Sequence, residues 1–386
     1  MQQLHETKER KKRALLVSIK TSSSPAECSS PAELAGLAET LELDIAGHEI
    51  VNVRERQPRF GMGSGKAEEL ADMAARLEAD LLVFDWDPHL PEKARPSQQR
   101  NWEDLTGIPV LDRQELIIQI FASRVTTREA ALQVQLAELH YRLPRLTHKY
   151  IDLSQQRGGH YGTRGAGETK LETDRRTIER RIHKLEKEIE QVAKQRQVQR
   201  RQRERQGVPV CAIVGYTNAG KSSLLNALTG SAVLVEDKLF ATLETTTRRF
   251  EPVPGMAVLL SDTVGFIRRL PHSLIKAFRS TLEEAARANI LIHVLDASDP
   301  NIENCYQTTI TVLGELGAGE IPAITVLNKT DLLQEDGYKE ALIARFPQSI
   351  AVSARNHTGF EELKNEIAVT LQKTRSGNVN PNLSAW

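Results

Sequence analysis

Residues 210–222 read VCAIVGYTNAGKS. An apolar run of strand length, residues 210–214, meets the loop Gly215-Tyr216-Thr217-Asn218-Ala219-Gly220-Lys221-Ser222, and residues 223–229 then carry a helical pattern. The loop matches G-x-x-x-x-G-K-[ST]. Its glycines let the backbone wrap closely around phosphates, Lys221 brings a point charge to the β- and γ-phosphates, and Ser222 offers a hydroxyl to Mg2+. Strand, glycine loop and helix in this order predict a P-loop domain with a mostly parallel sheet.

Three later segments narrow the nucleotide. Residues 258–261 form an apolar run ending in Asp262-Thr263-Val264-Gly265. This D-x-x-G places a carboxylate near Mg2+ and a glycine N–H near the γ-phosphate. Residues 323–327 lead into Asn328-Lys329-Thr330-Asp331, whose N-K-x-D spacing selects guanine: the aspartate accepts from the ring N1–H and the exocyclic amine. Residues 350–352 lead into Ser353-Ala354-Arg355, where a backbone N–H can meet the guanine O6. Each motif follows a strand, as the open-sheet rule expects of a ligand at strand carboxyl ends. The predicted reaction is GTP hydrolysis with Mg2+, with Lys221, Thr242 and Gly265 as its catalytic residues.

Between the P-loop and D-x-x-G lies Phe240-Ala241-Thr242-Leu243-Glu244-Thr245-Thr246-Thr247. GTPases need a threonine here that closes on Mg2+ when the γ-phosphate is present. We assign Thr242, with Thr245, Thr246 and Thr247 as the alternatives; an edge strand accounts for threonines that do not contact the metal. The metal set is then Ser222 and Thr242, with Asp262 through water. After D-x-x-G many GTPases carry a water-orienting glutamine; here Phe266 stands in its place, so hydrolysis needs another group, a partner or a cation. Asn218 holds the P-loop position at which GTPases that bind K+ beside the phosphates carry asparagine; the alternative is a hydrogen bond within the loop.

Upstream, residues 13 to about 125 alternate short apolar runs (14–19, 49–53, 81–84 and 108–111) with helical patterns (31–43, 66–77, 91–105 and 115–122), which predicts a small N-terminal α/β domain. From about Thr127 the period changes. Leu132, Leu136, Leu139, Leu143 and Leu146 form a heptad-type stripe, as do Leu171, Ile178, Ile182, Leu185, Ile189 and Val192. Two stripes joined by the glycine-rich RGGHYGTRGAGET from Arg157 predict an antiparallel helical hairpin with a non-helical tip. The expected domains are 1–125 (N-terminal α/β), 126–206 (hairpin), 207–374 (GTPase) and 375–386, a disordered tail.

Charge is uneven. The chain carries 51 basic and 51 acidic residues, yet residues 157–206 hold 15 Lys/Arg against 8 Asp/Glu, a net of +7. Arg164, Arg175, Arg176, Arg180 and Arg181 are the candidates for RNA contact. The competing reading is a solvated face laced with i,i+4 ion pairs. Aromatic residues near the tip are few, His160 and Tyr161, so sequence-specific reading of a single strand is not supported. A second glycine loop, Arg59-Phe60-Gly61-Met62-Gly63-Ser64-Gly65-Lys66, lacks the hydroxyl after its lysine. It reads as a tight turn or RNA contact ahead of a phosphate site for ATP.

Three scattered cysteines, Cys28, Cys211 and Cys305, with no C-x-x-C spacing argue against a disulfide framework or zinc site and fit a reducing compartment. No apolar run reaches membrane-spanning length. The expected location is the cytoplasm, the expected state a monomer.

Residues 162–176 (GTRGAGETKLETDRR), 237–243 (DKLFATL) and 262–268 (DTVGFIR) resemble the signatures of the HflX family, in family order and across residues 15 to about 370. His160, Ala166, Lys170 and Glu244-Thr245 depart from the usual pattern and bear on loop geometry. Many members carry a further small domain after the GTPase domain, which this sequence is not expected to have. The resemblance implies a GTPase that binds the large (50S) ribosomal subunit and splits or rescues stalled ribosomes, its helical arm and N-terminal domain approaching ribosomal RNA. Some members are reported to use ATP through the N-terminal region. The alternatives are a role in large-subunit assembly, or gating of an RNA-modifying partner.

Overall fold

Strands buried on both faces set the architecture. The computed structural model describes residues 10–21, 31–55, 57–86, 95–155, 164–204, 207–231, 238–243, 245–268, 274, 285–333 and 337–376, with backbone alone for 147–155, 164–170 and 196–204. In it β1 (Arg13–Thr21) is buried at every position from Ala14 to Ile19. A strand without polar alternation needs cover on both faces of its sheet, which is the condition of a parallel sheet flanked by helices. Contacts group the chain into two units: residues 1–120 with 138–182, and residues 121–137 with 183–386.

In the first unit β1, β2 (Asp44–Val53), β3 (Leu81–Asp85) and β4 (Val110–Asp112) form a wholly parallel sheet in the order β2-β1-β3-β4. The crossovers are α1 (Pro31–Thr40), α2 (Ser64–Arg76) and α3 (Arg95–Thr106), and α4 (Arg113–Arg124) follows β4. The apolar run alone predicts a strand over 49–53. The observed β2 begins at Asp44, because pairing with β1 from Arg13↔Asp44 to Thr21↔Val53 carries it through polar residues. One face packs Val17, Phe84 and the fully buried Trp102, whose Nε1 donates to the Phe60 carbonyl at 3.1 Å. Truncating such a ring costs about 3–5 kcal/mol. Arg113, at the start of α4, pairs with Glu33 of α1 and lies 3.7 Å from Asp85 of β3, all nearly buried.

Two long helices follow, α5 (Arg128–Gln155) and α6 (Arg164–Glu204). Of the two stripes, Leu132, Leu136, Ile182 and Leu185 are buried. Arg128 at the start of α5 lies 3.9 Å from Glu188 in the later half of α6, as antiparallel helices require. The glycine-rich stretch departs from expectation: α6 starts within it, at Arg164, so Gly165, Ala166 and Gly167 are helical. Glycine costs about 1 kcal/mol per helical position, and one long cooperative helix offsets that for two of them. His160 and Tyr161 lie outside the described residues, as do Cys28 and the tail from residue 377.

The second unit contains β5 (Val210–Gly215), α7 (Lys221–Thr229), β6 (Thr246–Phe250), β7 (Val258–Asp262), β8 (Ile290–Asp296), β9 (Ala323–Asn328) and β10 (Ile350–Ala351). Its sheet runs β10-β9-β8-β5-β7-β6, with β6 alone antiparallel to its neighbour. Ile213, Leu224, Leu260, Ile292, Val326 and Ile367 share its core. α7 ends where Gly230 takes φ 66° and returns its N–H to the Asn226 carbonyl, a left-handed stop that favours glycine. Cys211 and Cys305 are buried thiols outside any disulfide, and the Cys305 thiol donates to Asp299 Oδ2 at 3.4 Å. Among the described residues no helix is long and apolar enough to cross a membrane.

One buried group in this sheet is poorly satisfied. His293, in the middle of β8, is fully buried and neither ring nitrogen has a hydrogen-bond partner. It stacks on Tyr306, with centroids 5.1 Å apart. Burial, then the charge of Lys221, lowers its pKa to about 3. The unfolded chain takes a proton near pH 6.5 and the folded chain does not, so stability is full above pH 6.5 and falls as pH drops toward 3. By pH 5 the loss is about 2 kcal/mol. His293→Phe keeps the ring and removes both orphaned nitrogens. It is expected to raise Tm at pH 5 and to flatten the fall between pH 7 and 5, read by thermal melts of both proteins across that range.

Candidate nucleotide site

The carboxyl ends of β5, β7, β9 and β10 bring the four motifs to one edge of the sheet. Gly215 takes φ 149°, and a Cβ there would lie 2.3 Å from the Val294 carbonyl oxygen. That close approach admits no side chain. Asn218 at φ 63° and Gly220 at φ 88° then curl the loop into α7. Asn328 ties the distant motifs to it. Its Nδ2 donates to the Ala219 carbonyl at 2.9 Å, and its Oδ1 accepts from the Ala354 N–H at 3.1 Å. The Ser353 hydroxyl donates to Asp331 Oδ1 at 2.5 Å and accepts from the Asn356 N–H at 3.0 Å, which orients the carboxylate. Lys329, at φ 62°, pairs with Asp296 at 2.7 Å, and the Thr330 hydroxyl donates to the Val352 carbonyl at 2.9 Å.

The phosphate end is a small pocket. It is lined by Thr217, Asn218, Gly220, Lys221, Ser222 and Ser223 of the P-loop and the start of α7, by Lys238, Phe240, Ala241 and Thr242, and by Gly265. Lys221 is nearly buried, its Nζ donating to the Tyr216 carbonyl at 2.7 Å. A Cβ on Gly265 would come within 2.9 Å of that Nζ. The Ser222 and Thr242 hydroxyls are 2.6 Å apart, and Ser222 donates to Asp262 Oδ2 at 2.6 Å. Asp262 is fully buried, and its Oδ1 has no hydrogen-bond partner. Burial pushes its carboxyl up; Lys221 and Ser222 pull it back. Three converging oxygens, one of them on a carboxylate with a lone pair to spare, fit a hard divalent cation such as Mg2+. Ser222, Thr242 and Asp262 would hold such an ion, which would supply positive charge to the phosphates.

Of the alternatives to Thr242, Thr246 and Thr247 belong to β6, the Thr247 hydroxyl lying 3.2 Å from that of Ser261. Glu244 lies outside the described residues. Leu243 and Val264 are buried, and the Thr263 hydroxyl donates to the Ile213 carbonyl at 2.7 Å; none of these three lines the phosphate pocket, so they support it from behind. Ser223 and Lys238 are pocket residues the motif spacing does not point to; their signal is adjacency, to Ser222 and to the 240–243 segment. The Phe266 ring is buried, and its backbone extends the ladder onto the P-loop: its N–H donates to the Gly215 carbonyl at 3.1 Å and its carbonyl accepts from the Thr217 N–H at 2.7 Å.

Comparison with known proteins agrees with this geometry. The model of the GTP-binding GTPase N-terminal region matches residues 29–122, that of the GTP-binding GTPase middle region residues 124–203, and that of the 50S ribosome-binding GTPases residues 210–329. GTPase HflX of Akkermansia muciniphila is 47% identical over 355 residues, covering 89% of this chain and 80% of that protein. The chain belongs to the HflX family of GTPases. GTPase HflX of Caldanaerobacter subterraneus is 43% identical over 369 residues, covering 94% of this chain and 81% of that protein. The solved structure of the SsGBP and GDP complex matches 96% of the chain at 26% identity, with a TM-score of 0.50.

As an HflX-family GTPase the protein hydrolyses GTP, with Phe266 where a water-orienting glutamine would stand. Phe266→Gln is not expected to supply one, because the side chain at 266 is buried and does not line the phosphate pocket. An unpaired amide in that core costs roughly 2 kcal/mol or more. The expected result is a lower Tm with no gain in GTP turnover; a faster enzyme would show that the ring can swing to the phosphates.

The second glycine loop is a tied turn. The Arg59, Phe60 and Pro58 carbonyls accept from Asn101, Trp102 and Gln98 of α3, at 2.7, 3.1 and 3.1 Å. Lys66 pairs with Glu49 at 3.4 Å and Glu69 at 3.1 Å. On α6, Arg175 pairs with Glu179 at 2.9 Å and Arg176 with Glu172 at 2.8 Å, while Arg180 and Arg181 are exposed. The side chain of Arg164 is outside the description.

Proposed function

We propose that this GTPase binds the large ribosomal subunit and splits or rescues stalled ribosomes, with GTP hydrolysis timing its release. The observation that carries the reading is the match of residues 210–329 to the GTPases described as 50S ribosome-binding. The basic α6, continuous over 41 residues, supplies the phosphate-contacting face in this reading. The functional parts are residues 1–125, 126–206 and 207–374. In the active site Lys221 holds the phosphates, Ser222, Thr242 and Asp262 hold Mg2+, Asp331 reads guanine, and the ribosome completes what Phe266 does not provide. A K+ ion beside Asn218 would act in the same direction.

The experiment is the GTPase rate with and without purified 50S subunits, in KCl and in NaCl at equal ionic strength, with sedimentation of 70S particles in parallel. The expected result is a large stimulation by 50S and conversion of 70S into subunits in GTP. Stimulation by precursor particles alone would assign the protein to assembly. No ribosomal stimulation would turn the search to a non-ribosomal partner. Equal rates in the two salts would remove K+ from the mechanism.

A further inference from the structure

A residue packed against the 238–243 segment lies far upstream of the P-loop. Phe240 has φ 56°, a left-handed backbone that is costly for a bulky side chain and persists only where surroundings enforce it. Its ring is buried. Phe121, in the last turn of α4 and itself buried, meets that ring edge-on, with centroids 4.7 Å apart and planes at 87°. This is the T-shaped arrangement that aromatic quadrupoles favour. On either side of Phe240, Lys238, Ala241 and Thr242 line the phosphate pocket, and the Thr242 hydroxyl reaches Ser222 at 2.6 Å. A ring held at one point in a packed hole therefore decides where its flanking side chains can go. Phe121 does not line the pocket.

We propose that Phe121 is a positioning residue for GTP hydrolysis. Through Phe240 it holds Thr242 within reach of the Ser222 and Asp262 oxygens, and Lys238 at the phosphates. The proposal rests on the reading of Thr242 as the threonine that closes on Mg2+. Thr242 acts on the triphosphate state, so loosening its anchor weakens GTP more than GDP. A ring that only fills volume would lower stability and leave the two nucleotides in the same ratio.

The test uses the full chain with Phe121→Ala, Phe121→Leu and, separately, Thr242→Ala. Affinities for fluorescent GMPPNP and GDP in Mg2+ are measured with kcat, KM and Tm. For Phe121→Ala the expected result is about tenfold weaker GMPPNP binding, GDP binding within about twofold, and kcat lower by about tenfold. Phe121→Leu keeps apolar bulk without the ring edge and should shift the same ratio less. An unchanged GMPPNP-to-GDP ratio and unchanged kcat in Phe121→Ala, or in Phe121→Leu if the alanine variant does not fold, overturns the proposal. Thr242→Ala separates the two failures. If it moves the ratio while the Phe121 variants do not, the role of Phe121 falls; if it too leaves the ratio unchanged, the threonine assignment falls with it.

Discussion

Lys221→Ala is expected to lower GTP turnover by about a thousandfold or more. Lys221 is the nearly buried cation at the head of the phosphate pocket, with Gly265 packed against its Nζ. Removing a preorganised charge from a desolvated phosphoryl-transfer site costs several kcal/mol of transition-state stabilisation. The lysine is also strained electrostatically. Burial lowers its pKa to about 8; Asp262 opposes that shift and Lys329 adds to it. A polyphosphate beside it restores the charged form and raises the pKa. Nucleotide binding therefore takes up a proton above about pH 8, and affinity declines as pH rises past that point. Phosphate release and fluorescent-GDP titration check the first result, and calorimetry in buffers of different ionisation enthalpy checks the second. Because the alanine removes a costly buried charge, Tm is expected to hold. Retained turnover would place the phosphate cradle elsewhere.

The second large effect is on base choice. Asp331→Asn is expected to lower kcat/KM for GTP by about a thousandfold or more and to raise it for XTP. In the proposed role the carboxylate accepts two N–H groups on one edge of guanine, and Ser353 fixes its orientation through the 2.5 Å hydrogen bond. An amide presents one donor and one acceptor. It clashes with the exocyclic amine of guanine and matches the carbonyl that xanthine carries in its place. Sites that hydrogen-bond a polar substrate edge discriminate by factors of about ten thousand or more. The measurement is kcat/KM for both nucleotides in wild type and variant. A variant that still prefers GTP would remove Asp331 from base recognition.

The nucleotide motifs were legible because each is contiguous. Residues 215–222 form their loop with their own backbone, and the glycines that permit its tight curl stand within the same eight positions. The apolar runs over 14–19, 210–214 and 258–261 were legible for a similar reason: a strand buried on both faces needs an unbroken apolar stretch. Boundaries were less so where partners decide them. β2 reaches back to Asp44 because β1 pairs with it, and α6 begins amid glycines because a long helix tolerates two of them. The loop at 59–66 shows the limit of motif reading. Its glycines read as a tight turn or RNA contact ahead of a phosphate cradle, and the pairing that settles the turn comes from afar: α3 side chains hold its carbonyls and two carboxylates hold Lys66.

By itself, then, the sequence determined the P-loop, the guanine-selecting N-K-x-D, the missing glutamine at Phe266 and membership of the HflX family, all carried by residues adjacent along the chain. Only the tertiary structure decided what depends on residues that meet from afar. Asn328 locks onto the Ala219 carbonyl across 109 residues. His293 loses both hydrogen-bond partners in the middle of a sheet. Phe121 comes to rest against Phe240. Such contacts follow from sheet register and from which helix covers which face, and no local pattern carries that information, because packing selects shape and position rather than residue order.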